Sequence, residues 1–153
     1  MDVETTGINP ESDKIIELGI CLFEYDRENG RIYKVLGSWE WFEDPGFLIP
    51  PEITNITGIT DEMVAGRRID DRAVNDLLSR VVQVIAHNAD FDRRFLEKRL
   101  PIFATKHWAC SRFDIDWKAR ASVHRRSNSL PTRWGSFTTG IGLRAIVERR
   151  FMR

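Results

Sequence analysis

Residues 1–42, MDVETTGINPESDKIIELGICLFEYDRENGRIYKVLGSWEWF, decide the fold of this chain. IIELGICLFEYD (15–26) and RIYKVLGSWEWF (31–42) are rich in β-branched and apolar residues, and the turn signal ENG (28–30) separates them. The two segments therefore predict an antiparallel hairpin. MDVETTG (1–7) predicts a short strand ahead of it. Three strands in succession, at least two of them antiparallel, thus open the chain.

After the hairpin, a proline-rich irregular connector (43–53) leads into alternating helical and extended patterns. The apolar spacing and the capping signals predict helices within 54–66 (with Thr60 as N-cap), 70–82, 91–100 and 141–151, and strands within 83–89 and 107–119, the last of which runs into a helix. This order predicts an α/β fold in which helices flank a mixed central sheet of about five strands.

The composition is that of one ordinary globular domain, with 153 residues, 42% of them apolar and 30% charged. No apolar run approaches the roughly 18 residues that span a bilayer. The chain does not open with a basic segment followed by an apolar one, so we expect neither a signal peptide nor a membrane partner. Cys21 and Cys110 are too few for a disulfide framework and are typical of a cytoplasmic protein.

Charge divides the chain into two parts. Residues 1–118 contain 15 Lys/Arg and 22 Asp/Glu, whereas residues 119–153 contain eight Arg, no Lys and a single Glu. We therefore predict one domain over 1–118 and a divergent basic segment over 119–153. Such a segment can bind nucleic-acid phosphates. The same switch in charge is also expected if the two parts were not selected together.

Acidic side chains lie at the ends of two predicted strands. Asp2 and Glu4 are two positions apart and so share one face of the first strand. Asp92 follows the strand-end segment AHNADF (86–91) at the start of a helix. Open α/β sheets bind ligands at the carboxyl ends of their strands, and carboxylates suit Mg²⁺ or Mn²⁺. The alternative is that Asp2 and Glu4 are solvent-facing acids on an edge strand.

Four segments in this order, DVETTG (2–7), IIELG (15–19), TGITDEMV (57–64) and AHNADFD (86–92), resemble the DEDD 3′–5′ exonuclease family. Within that family the chain is similar to the epsilon-type proofreading subunits of bacterial DNA polymerase III. The resemblance covers about residues 1–118. It implies an RNase H-like fold, a two-metal site for Mg²⁺ or Mn²⁺, single-stranded DNA 3′ ends as substrate, and a DNA polymerase as partner in replication.

Carried over position by position, the resemblance makes Asp2, Glu4 and Asp92 the catalytic metal ligands. The substrate-binding positions that it implies form two groups, Thr6, Gly7 and Ile8 at the 3′-terminal nucleotide, and His87, Asn88 and Phe91 around the second motif. For His87, a structural hydrogen bond at a strand end is an equally good interpretation.

The third motif of the family is a histidine followed, after four residues, by an aspartate, and this chain lacks it. No aspartate follows Asp116, and the residue five positions after His124 is Ser129. In the family the histidine is the general base, a role that typically contributes about 10² to 10⁴-fold. The sequence therefore predicts an impaired exonuclease. The alternatives are a non-catalytic domain that binds nucleic acid or a polymerase, and an inactive remnant.

A shifted reading frame would account for the missing motif. If each codon takes the third base of one residue and the first two of the next, RWGSFTTGIGLRAIVER (133–149) is compatible with MGFFYDGHRAASDCRA, which contains the motif. The glycine after its methionine is forced, because the codon of Trp134 ends in G and that of Gly135 begins with GG. The other third bases are free, so the nucleotide sequence of the gene decides this hypothesis. The resemblance also implies several apolar residues ahead of the first aspartate, whereas only Met1 precedes Asp2. It therefore predicts a missed upstream start codon or a shortened first strand.

Overall fold

The structure, a computed structural model, describes residues 1–26, 28 and 31–115, and the backbone of residues 145–149. Its strands are β1 (Asp2–Thr5), β2 (Ile15–Tyr25), β3 (Ile32–Phe42), β4 (Val81–Ala86), β5 (His107–Cys110) and β6 (Ala145–Arg149). Its helices are α1 (Pro51–Thr57), α2 (Asp61–Val64), α3 (Asp71–Leu78) and α4 (Ala89–Arg99), followed by a 3₁₀ turn over Pro101–Thr105. The predicted α/β order is present, with one strand more than expected.

The predicted hairpin is formed by β2 and β3. They pair antiparallel from Glu17 opposite Phe42 to Tyr25 opposite Ile32, with two irregularities in register. β2 is mostly buried because it has neighbours on both sides. β3 pairs with β2 alone among the described residues, and its first residues extend beyond the core.

The last strand corrects the helix predicted over 141–151, because residues 145–149 are extended. β6 lies parallel to β2 over 20–24 and antiparallel to β4 over 81–85. β1 pairs with β2 over 15–19, on the same edge. β1 and β6 therefore lie end to end along the same edge of β2. β6 lies between β2 and β4 and forms backbone hydrogen bonds with both strands. Such tertiary pairing overrides the local periodicity of a short segment.

Helix α1 is a second correction, because the connector was predicted to be irregular up to residue 53. The helix begins at Pro51, where the missing proline N–H removes no helical hydrogen bond. Gly58 ends it at φ 78°, a left-handed conformation that glycine adopts without strain. Thr60 is the N-cap of α2 as predicted, and the predicted helices α3 and α4 are both present.

The main core lies against one face of the sheet. Its members include Val3 from β1, Leu18 from β2, Val84 from β4 and Phe95 from α4. Ile16, Ile49, Ile59 and Val64 form a smaller cluster, against which Ile53 of α1 packs. Within the part of the chain that is described, no helix is both long and apolar enough to cross a membrane. The helix predicted to follow β5, and residues 133–144 of the shifted-frame segment, lie outside the described residues.

Candidate active site

Two strands end and a third begins at one edge of the sheet, where the predicted site residues are found. β4 and β5 are parallel, with Ala86 opposite Cys110 at their carboxyl ends. The amine of Met1 donates to the carbonyl of Ile85 at 2.8 Å, so that β1 starts beside the end of β4. Both predicted groups of site residues therefore lie where open α/β sheets carry their ligands.

Asp2 and Glu4 share the face of β1 that points away from the main core. Val3 and Thr5, which alternate with them, are 5% and 6% exposed. Asp2 and Glu4 are half-buried. The two carboxylates therefore stand side by side, as the spacing predicts, and neither is a freely solvated surface acid.

Asp92 continues the hydrogen-bond ladder past the end of β4. Its Oδ1 accepts from the backbone N–H of Val3 at 3.1 Å, two residues along β1 from the Met1 amine that bonds to Ile85. The side chain is 2% exposed. The chain turns from β4 into α4 at Asn88, whose φ of 65° is left-handed, a conformation that asparagine tolerates better than most residues. This turn brings Asp92, in the first helical turn, back against β1.

Burial raises the pKa of all three carboxyls, and like charge adds to the effect for Glu4 and Asp92. Asp92 is shifted most, from 3.8 to about 7, by burial first and by the negative charge of Asp2 second. The charge of Asp2 likewise raises the pKa of Glu4 after burial. The pKa of Asp2 is also raised by burial, while the Met1 amine and His87 lower it. A bound cation would relieve this repulsion.

The donor chemistry of the three acids fits Mg²⁺ or Mn²⁺, hard cations that take carboxylate oxygens. Within the described residues, however, no three histidine, cysteine, aspartate or glutamate side chains form a ready-made metal cluster. Asp2 is instead the charge neighbour that Glu4 and Asp92 have in common. The role of the three acids as metal ligands therefore stays a prediction.

Thr6, Gly7 and Ile8, the first group of predicted substrate contacts, lie in the loop after β1 and differ in their exposure to solvent. Thr6 is 3% exposed, and its Oγ1 accepts from the backbone N–H of Lys14 at 3.0 Å. Ile8 is 85% exposed. Gly7 has no room for a side chain, since a Cβ there would lie 2.5 Å from Oδ2 of Asp13. The loop thus keeps the Thr6 hydroxyl inside and presents Ile8 to solvent.

In the second group, His87 is exposed and its Nδ1 lies 3.1 Å from Oγ of Ser111. Phe91 is half-buried and packs on Phe95, with ring centroids 5.1 Å apart. Ser111 was not among the site residues predicted from the sequence. The available signal was its position directly after β5, the strand that ends beside β4.

The sequence profile described as exonuclease matches residues 1–134 of this chain. The chain belongs to the exonuclease family. It is 35% identical over 104 residues to the DNA polymerase III subunit epsilon of Treponema pallidum, covering 66% of this chain and 45% of that protein. It is 38% identical over 101 residues to the PolC-type DNA polymerase III of Clostridium perfringens, covering 65% of this chain and 6% of that protein. The chain thus spans less than half the length of either relative.

A solved exonuclease has the same fold. The zinc-bound form of the E. coli ExoI complex with single-stranded DNA matches this exonuclease-family chain with a TM-score of 0.52 and 20% identity, over 71% of this chain and 26% of that one. At this identity the likeness concerns the fold alone. The predicted RNase H-like α/β fold is confirmed, as is the resemblance to the exonuclease family.

Proposed function

We propose that this chain is a metal-dependent 3′–5′ exonuclease of the proofreading type, which releases nucleotides from single-stranded DNA ends. The observation that carries the proposal is the group of Asp2, Glu4 and Asp92 at one sheet edge, with pKa values raised by burial and, for Glu4 and Asp92, also by the negative charge of Asp2. The two DNA polymerase III relatives support DNA as substrate, a polymerase as partner and a cytoplasmic location.

In the proposed mechanism, Asp2, Glu4 and Asp92 would hold two Mg²⁺ or Mn²⁺ ions. Bound ions of this kind stabilise the attacking and leaving oxygens of a phosphodiester. The Val3 N–H fixes Oδ1 of Asp92, which leaves Oδ2 for a ligand. Half-burial of Asp2 and Glu4 limits the water that would screen their charge. The exposed side chain of Ile8 is available to pack against the terminal nucleotide.

The missing third motif supports a second candidate, a non-catalytic domain that binds nucleic acid or a polymerase. A chain with no aspartate after Asp116 lacks the family's fourth metal ligand and its paired general base. Such a domain would retain the fold and the first three acids. We also propose that residues 1–118 are the exonuclease domain and that residues 119–153 are a divergent basic segment, from which β6 joins the sheet of that domain.

Incubation of a 5′-labelled single-stranded oligonucleotide with the full chain tests the proposal. With Mg²⁺ or Mn²⁺ we expect stepwise shortening, which a chelator and a 3′-terminal block both stop. Asp2→Asn should abolish it, whereas Asp76→Asn, which neutralises an exposed acid on α3, should not. Binding without shortening would favour the second candidate, and an unfolded circular-dichroism spectrum would indicate an inactive remnant.

A further inference from the structure

A tight turn after β5 is fastened to the edge of the sheet that carries the three acids. The N–H of Cys110 donates to Oδ2 of Asp114 at 2.7 Å, and the N–H of Asp114 donates to the carbonyl of Cys110 at 2.9 Å. The N–H of Ser111 donates to the carbonyl of Ala86, the last residue of β4, at 2.9 Å. Together with the contact between Ser111 and His87, these bonds hold the turn in a fixed position at the carboxyl end of β4, next to His87, whose charge acts on Asp2.

This turn presents a cation and an aromatic ring to solvent. Phe113 is 69% exposed, more than any other phenylalanine whose side chain is described, and it belongs to neither core cluster. The guanidinium carbon of the exposed Arg112 lies 5.1 Å from the centroid of the Phe113 ring. One face of the ring is thus covered by a positive charge while most of the side chain is in water.

We propose that residues 111–114 form a platform for the nucleic-acid strand, on which Phe113 stacks a base and Arg112 binds a neighbouring phosphate. Aromatic stacking combined with a backbone-binding cation is how proteins hold single strands without reading their sequence. This inference rests on the proposed function and extends it, since the strand on the platform is the one whose 3′ end reaches the carboxylates. Both residues are positioning residues.

Charge explains why this edge needs such a platform. The carboxylates of Asp2, Glu4 and Asp92 repel the phosphates of an approaching strand. Arg112 adds a positive charge on the same edge. Because the turn is bonded to the end of β4, the platform keeps a constant distance from the acids, so a bound strand would be held in one register relative to them.

Fluorescence anisotropy with a labelled single-stranded oligonucleotide, in a buffer without divalent cation, tests the stacking role. Phe113→Ala should weaken binding by about 5- to 150-fold, the range for one lost base stack. Phe113→Trp should restore the affinity. Tyr33→Ala is the matched control, because Tyr33 is 54% exposed near the hairpin turn, at the opposite end of the sheet, and should leave binding unchanged.

The salt dependence of binding tests the phosphate contact. Arg112→Ala should reduce the slope of log K against log salt concentration by about 0.7, the value for one phosphate contact on a single strand. Arg112→Lys should retain the slope. Arg80→Ala removes an exposed arginine just before β4, at the far end of the strand, and should have no effect on it.

Unchanged affinity of a folded Phe113→Ala chain, or no binding by the unaltered chain, overturns the inference. If no form of the chain shortens DNA but Phe113→Ala still weakens binding, the platform stands and the proposed catalysis fails. If shortening occurs, Phe113→Ala should raise KM for the oligonucleotide and leave hydrolysis of the p-nitrophenyl ester of thymidine 5′-monophosphate unaltered. Loss of ester hydrolysis would indicate general damage to the site and would contradict the positioning role.

Discussion

Asp92 combines a structural role and a charged role in one side chain. Its Oδ1 satisfies the Val3 N–H, a task that an amide oxygen performs equally well. Its negative charge does not serve the fold, because the side chain is 2% exposed and near the charge of Asp2. A buried charge that lowers stability is expected where the charge itself has a function.

We predict that Asp92→Asn raises the free energy of unfolding above pH 7. The pKa of the folded state, about 7, exceeds the ordinary value of 3.8. The native protein therefore holds an extra proton between these pH values, and its stability falls as pH rises through that window. The substitution should recover at most about 4 kcal/mol at pH 8. Urea unfolding at pH 4, 6 and 8 measures this, with Asp76→Asn as control; equal pH profiles for Asp92→Asn and the unaltered chain would contradict it.

Gly7 leads to a second prediction at the residue scale. Because a Cβ at position 7 would overlap the Asp13 carboxylate, Gly7→Ala must displace it from the Asn9 N–H, which donates to its Oδ2 at 2.8 Å. We expect a loss of about 1 kcal/mol. In an Asp13→Ala background the same substitution should cost almost nothing, so a double-mutant cycle from urea unfolding isolates the contact. Additive effects would show that the overlap is relieved elsewhere.

Among the elements, β6 depends most on its surroundings. Residues 145–149 have a stable extended conformation only because β2 and β4 both pair with them. The helical pattern of residues 141–151 does not indicate that β2 and β4 leave room for a strand between them. β6 therefore joins the β1–β2–β3 side of the sheet to the β4–β5 side, in line with the short strand β1.

We predict that Val147→Pro is strongly destabilising. Val147 pairs with Leu22 of β2 and with Val84 of β4. A proline there removes a ladder hydrogen bond within a central strand and leaves its acceptor unsatisfied, at a cost of about 1 to 3 kcal/mol. Ile32→Pro is the control, since Ile32 is the first residue of the edge strand β3 and proline is tolerated there. If urea midpoints show equal effects at both positions, β6 is not a central strand in solution.

The elements also show what local sequence can predict. The β2–β3 hairpin, α3 and α4 were predictable because periodicity, turns and caps act within a few residues of chain. The position of Asp2 and Glu4 on one face follows from strand alternation, and that of Asp92 from a strand end. Local patterns did not predict three features: the inward hydroxyl of Thr6, the contact of Ser111 with His87, and the pairing of β6 with β2 and β4. Each depends on segments that meet only in the folded chain.

On the scale of the whole molecule, charge balance acts together with β3, a strand that pairs on one side only among the described residues. The formal net charge is zero and the isoelectric point is about 6.8, so repulsion between molecules is weakest near neutral pH. At the same time β3 exposes Ile32, Tyr33 and Val35 by 50% to 61% on an edge strand. Exposed apolar edges are templates for pairing between chains.

We predict concentration-dependent association near pH 7 that Val35→Lys reduces, because an edge lysine opposes strand pairing. Light scattering at increasing protein concentration measures it. Ser12→Lys adds the same charge in an exposed loop and serves as the matched control. An equal reduction by both variants would assign the association to net charge alone and exclude the β3 edge.

The hydrogen bond between Val3 and Asp92 also offers a spectroscopic probe. The amide proton of Val3 is bonded directly to the carboxyl whose pKa is about 7. Its nuclear magnetic resonance should therefore move as that carboxyl loses its proton, and move again when a divalent ion is added. A single backbone signal would thus report the charge state of the edge without substrate or turnover.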